Sequence, residues 1–125
     1  MYEDMAGMPG GPWRWRWTWS RPGRPPKPRL IWFRPRVRAF VPVDEMGRPI
    51  PSEPVYLLPD ELEALRLVYY EGLTQEEAAK KMNVSRGTLW RALASGRKKL
   101  VQALIEGKLL VLVAPEEKPD RERGS

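Results

Sequence analysis

The chain has 125 residues, room for one ordinary domain with tails, and contains neither cysteine nor histidine. That excludes disulfides, thiol nucleophiles, thiolate or imidazole metal sites and any serine–histidine relay, so neither an enzyme nor a cofactor is expected. The net charge of +6 is blocked: residues 13–40 carry nine bases and no acid, and 83–105 carry five bases and no acid, a layout suited to a polyanionic partner.

The first dozen residues are acidic and rich in glycine and proline, the reverse of a secretory leader, and Met8 is an alternative start. Residues 1–28, dominated by Gly, Pro, Arg and Trp, are expected to form a disordered arm. A domain is expected over 29–114. Residues 30–33 and 37–41 are short β-type runs broken by Pro35 and Pro42, 44–54 is turn material bending at 46–49, and 55–58 is extended.

Three helices follow. Pro59 suits the first position of a helix, and Asp60 and Glu61 complement its dipole; its apolar stripe is Leu62, Leu65, Val68 and Tyr69, and Gly72 stops it. Thr74 and Glu77 form a Thr-x-x-Glu capping box for the second helix, which buries Ala78, Ala79 and Met82 and ends at Asn83. Ser85 caps the third, which runs to about Glu106, with Leu89, Leu93, Gly96, Leu100 and Leu104 as its core stripe and Gly107 as its stop. Residues 108–114 read as a strand, and 115–125 as a charged, disordered tail. The longest apolar run, 109–114, is far short of the roughly 20 residues a bilayer requires, so a cytoplasmic protein without a membrane partner is expected. Scarce amides and 14 prolines suit a hot environment.

Residues 74–94 meet the stereochemical needs of a helix-turn-helix. Ala78 and Ala79 permit a close crossing, Asn83 accepts a positive φ at the turn, Val84 plugs the corner, and Leu89, Ala92 and Leu93 anchor the second helix. The outer face is then polar or basic. Ser85, Arg86, Gly87, Thr88, Trp90 and Arg91 are the candidates for reading base edges in the major groove, with Arg86 and Arg91 suited to guanine. Gly87 permits close backbone approach or merely sits in a lenient first turn, and Trp90 packs on thymine methyls or covers the first helix. Thr74, Gln75, Ser95, Arg97, Lys98 and Lys99 are candidates for phosphate contact.

Trp13, Arg14, Trp15, Arg16, Trp17 and Trp19 form the arm's most unusual stretch, mixing phosphate-binding and stacking side chains. It reads as an accessory nucleic-acid arm, as a strand or extension of no fixed role, or, third, as a membrane-interface segment.

Residues 29–113 resemble the prokaryotic domain-of-unknown-function family 134, whose helix-turn-helix is similar to region 4 of sigma-70-type factors. The resemblance rests on 62–66 (LEALR), 71–79 (EGLTQEEAA), 84–88 (VSRGT), 97–99 (RKK) and 107–108, with 33–37 and 40–42 similar to the family's N-terminal portion. It implies a mainly α, three-helix region-4-like domain with short flanking strands and a DNA-binding regulator without an assigned target or catalytic residues. Family members often carry cysteines in the N-terminal segment where this chain has Trp32, and a hydroxyl where it has Leu58; the Trp/Arg extension is its own.

The expected function is sequence-specific binding of double-stranded DNA in transcription regulation, as a homodimer on two half-sites. One alternative is an RNA or non-specific nucleic-acid binder driven by the arm. Another is an interaction module of the transcription machinery, such as a partner of RNA polymerase, with Asp60, Glu61 and Glu63 facing a basic surface.

Overall fold

Three helices with short strands before and after them make up the computed structural model, which describes residues 7–8, 12–15 and 28–115. The strands are β1 (Gly7–Met8), β2 (Trp13–Trp15), β3 (Arg29–Ile31), β4 (Arg34–Pro35), β5 (Ala39–Phe40), β6 (Val55–Leu57) and β7 (Leu110–Leu112). The helices are α1 (Pro59–Leu65, continued by a π-helical turn over Arg66–Tyr70), α2 (Gln75–Met82) and α3 (Arg86–Glu106).

The helix ends follow the local signals. Thr74 Oγ1 accepts the Glu77 N–H at 3.0 Å while Glu77 accepts the Thr74 N–H at 2.9 Å, closing the capping box of α2. Asn83 ends α2 in the left-handed region at φ 59°, and Ser85 Oγ accepts the Thr88 N–H at 3.0 Å to start α3. Gly107, at φ 65°, lets the chain leave α3 and turn back toward the sheet. In the expected bend, Asp44 accepts the Met46 and Arg48 N–H groups, and the Arg48 N–H foremost holds its carboxyl below the ordinary value.

After α3 the chain inserts β7 between two strands that precede every helix. β7 runs antiparallel to β5 (Ala39 opposite Val111) and parallel to β6 (Leu57 opposite Leu112). Alternation then turns Val55, Leu57 and Leu112 inward and leaves Tyr56 outside. The core closes where Leu57, Leu112 and Ile31 meet Ala64, Leu67, Ala78, Met82, Leu89 and Leu93 from the helices.

Part of the N-terminal arm departs from expectation. The Trp13–Trp15 backbone pairs antiparallel with Arg29–Ile31, and Gly7–Met8 with Arg34–Pro35, so these segments are strands and not structureless. Arg16, Trp17, Trp19 and the tail 116–125 lie outside the described residues.

The stripe of α1 is also corrected. Ala64, Leu65 and Leu67 are buried, Leu62 and Val68 are partly buried, and Tyr69 is exposed. The inward line Asp60, Glu63, Ala64, Leu67 has helical spacing, but its two charges hide it from a hydrophobicity reading. Leu104 likewise leaves the core stripe: α3 outruns the shorter α1 and α2, and beyond Leu100 only the Ala103 side remains covered.

Candidate functional site

The acidic residues of α1 point into the protein. Asp60, Glu61 and Glu63 are each at most 5 % exposed, which removes the outward acidic face expected for a basic protein partner. Each has a cationic neighbour instead. Glu63 accepts the Trp32 N–H at 2.8 Å and both Nε and Nη2 of Arg66 at 2.9 Å. Glu61 accepts the Leu58 N–H at 2.9 Å, the Ser95 hydroxyl and Lys99 Nζ at 2.9 Å. It thereby supplies the helix start that Leu58, with no side-chain acceptor, lacks. Asp60 lies 3.4 Å from Arg29 Nη1.

Asp60 is the least well satisfied of the three: among the described residues, its Oδ1 and the Arg29 Nη1 are buried without a hydrogen-bond partner. Burial pushes its carboxyl above the ordinary value, with Arg29 opposing the shift and Glu61 adding to it. A raised folded-state pKa means that the ionised group works against folding at neutral pH, and that this handicap lifts as pH falls through the raised value. Asp60→Asn is therefore expected to gain in melting temperature on wild type most at pH 7, with the gap closing toward about pH 4. A pH-independent gap in thermal melts would contradict this assignment.

With the acids of α1 turned inward, the exposed surface of α3 is cationic over its first half. Arg86, Gly87, Trp90 and Arg91 are exposed together at its N-terminal end. Thr88 is half-buried and accepts from the Ser85 hydroxyl at 3.0 Å and from Arg91 Nη2 at 3.4 Å, so Ser85 and Thr88 position the turn. Thr74 and Gln75 are exposed at the start of α2, with the Thr74 hydroxyl already committed to the cap. Lys98 faces solvent, and Arg97, also exposed, donates to the Tyr69 hydroxyl at 2.6 Å.

Ser95 and Lys99 do not join that surface. Both reach Glu61, and Lys99 also donates to the Tyr56 carbonyl at 2.8 Å, so they fasten α3 to α1 and β6. Ser95, Lys99 and Glu61 line a cavity of about 340 Å³ that also takes in Arg29, Asp60, Thr88 and Arg91, so this cluster borders the exposed end from within. Sequence reasoning missed the Glu61–Ser95–Lys99 and Glu63–Trp32–Arg66 clusters. Only the i, i+3 spacing of Glu63 and Arg66 was there to be noticed.

Among the described residues, no helix is long and apolar enough to cross a membrane. Three archaeal proteins are similar to the chain. UPF0251 protein PF0620 of Pyrococcus furiosus is 54% identical over 91 residues, 73% of this chain and 83% of the relative. UPF0251 protein PH0803 of Pyrococcus horikoshii is 53% identical over 88 residues, covering 70% and 78%. UPF0251 protein TK0562 of Thermococcus kodakarensis is 53% identical over 87 residues, covering 68% and 74%. These relatives come from thermophilic archaea. No solved structure matches the chain. The family described as protein of unknown function DUF134 matches residues 19–119, and with these relatives it establishes that the chain belongs to that family.

Proposed function

We propose that the chain binds double-stranded DNA sequence-specifically as a cytoplasmic transcription regulator. In this reading α2 and α3 form a helix-turn-helix similar to sigma-70 region 4, and the N-terminal end of α3 enters the major groove. The observation that carries it is the grouping of Arg86, Gly87, Trp90 and Arg91 on one exposed helix end, within a stretch, 83–105, that has no acid. Arg86 and Arg91 read base edges, while Arg97 holds phosphate.

Gly87 sharpens the reading. A Cβ there would meet only Arg91 Nη1 at 3.7 Å and Ser85 Oγ at 4.0 Å, ordinary contacts that the fold accommodates. Alanine should even favour the helix by up to about 1 kcal/mol. The fold alone therefore gives no reason for glycine, whereas a backbone pressed against a duplex does. Gly87→Ala is expected to raise the melting temperature and weaken DNA binding; a variant more stable and fully competent in binding would count against close approach.

The deciding experiment is selection of genomic fragments at about 50 and 200 mM salt, with wild type and with Arg86→Ala/Arg91→Ala. Each arginine is expected to contribute about 1–3 kcal/mol of base discrimination. Wild type should enrich one short motif that survives the higher salt, and the double variant should retain only salt-sensitive binding, with a log–log slope near −0.9 per phosphate neutralised. Binding without a motif in wild type would favour a non-specific nucleic-acid binder.

A further inference from the structure

The C-terminal half of α3 carries an apolar face that nothing among the described residues covers. Val101, Leu104 and Ile105 are 56 %, 80 % and 78 % exposed, on a helix that extends past its neighbours. Lys98, Val101, Gln102, Ile105 and Glu106 line a shallow concavity of about 540 Å³ here. Lone exposed apolar residues are ordinary, but a group at helical spacing, framed by one base and one acid, is not.

The frame identifies the occupant. Antiparallel pairing of two α3 helices about a two-fold axis near Gln102 sets Lys98 of each copy against Glu106 of the other. The same axis places Val101 near Ile105, and Gln102 against its own equivalent, where a primary amide both donates and accepts. The charges are thus self-complementary in the antiparallel sense, while parallel pairing would set Lys98 against Lys98 and Glu106 against Glu106. Among the described residues neither group is committed elsewhere to a strong contact: Glu106 accepts Gln102 Nε2 at 3.3 Å and lies 3.7 Å from Lys108 Nζ. We infer that this face is a self-association surface and that its occupant is a second, antiparallel copy of the chain.

The pairing has a consequence for nucleic acid that rests on the proposed function. At 3.6 residues per turn, Gly87, Ala94, Lys98, Val101 and Ile105 fall on one side of α3, so the reading end and the association face look the same way. Face-to-face antiparallel pairing then aims the two reading ends in opposite directions, about 40 Å apart along the helices. Two half-sites on one straight duplex require reading ends that face the same way, one turn apart. The pair is therefore built to hold two duplex segments rather than one palindrome.

The test of association uses no DNA, so its failure is separate from failure of the nucleic-acid reading. Sedimentation equilibrium would compare full-length wild type, Lys98→Glu, Glu106→Lys and an equimolar mixture of the two variants, with circular dichroism to confirm helix content. Wild type should dimerise with concentration, and each variant should dissociate at least tenfold more readily because like charges then meet. The mixture should recover dimer, since the acid introduced in one variant faces the base introduced in the other. Wild type monomeric at every concentration, single variants that dimerise as wild type does, or a mixture that stays monomeric would each overturn the proposal. Capture of a second labelled duplex on an immobilised first, by wild type but not by Glu106→Lys, reports the opposed reading ends; an intact dimer that binds the first duplex and captures no second overturns that arrangement alone.

Discussion

Arg66→Ala is expected to lose about 3–5 kcal/mol of folding stability, because it strands a buried carboxylate. The Glu63 side chain is fully enclosed, and Arg66 supplies two of its three hydrogen bonds among the described residues through a planar fork. Without the guanidinium, only the Trp32 N–H remains among the described residues to balance a charge that water cannot reach. The contact of Arg66 over the Phe33 ring, 5.3 Å from its centroid, is lost as well. Lysine at 66 keeps the charge but not the fork, so its cost should lie between wild type and alanine. The control is Glu71→Ala, which removes the half-exposed arm of the same arginine's pairing and should cost under about 1 kcal/mol. Urea denaturation at neutral pH measures all three. Equal losses for Arg66→Ala and Glu71→Ala would show that Glu63 does not depend on its partner.

Gly96→Val should have the second large effect, at the crossing of α1 and α3. A Cβ at 96 would stand 2.9 Å from Leu65 Cδ1 and 3.3 Å from both Cβ and the carbonyl oxygen of Glu61. The Leu65 methyl can swing aside, but the Glu61 backbone is held in place by the bonds its own side chain makes to Lys99 and Ser95. Alanine therefore combines overpacking of about 1–3 kcal/mol with a helix-propensity gain of about 1 kcal/mol, for a modest net loss. Valine adds two methyl groups to the same contact and a χ1 restriction, and should lose several kcal/mol or fail to fold. Thermal melts beside Gly87→Ala make the comparison sharp. Both glycines lie in one helix, yet alanine at 87 should stabilise the fold and alanine at 96 should not.

That contrast marks how far the sequence alone could be read. Both glycines interrupt a helical pattern in the same way, and periodicity assigns Gly96 to the inner stripe. What it touches there depends on residues 31 and 35 positions earlier in the chain. The capping box at Thr74, the left-handed Asn83, the cap at Ser85 and the stop at Gly107 were all legible, because each is settled by neighbours within a few residues. So was the outward grouping of Arg86, Gly87, Trp90 and Arg91, which follows from placing Leu89, Ala92 and Leu93 inside.

The partners of the charges were not legible. Lys99 reads as a surface base until Glu61, 38 residues away, is found beside it. Glu63 reads as a surface acid until Trp32, 31 residues away, turns its N–H toward it. A strand was only one of the readings open for Trp13–Trp15, since its composition equally suggests an open arm, and pairing with Arg29–Ile31 decides it by giving its backbone a ladder. By itself, then, the sequence determined the three helices, their ends, the tight connection at Asn83 and the placement of the basic blocks, all of which rest on local backbone chemistry and period. Tertiary structure decided which bases remain on the surface, which acids are buried, and where β7 inserts, because desolvation and strand pairing depend on which distant residues arrive at the same place.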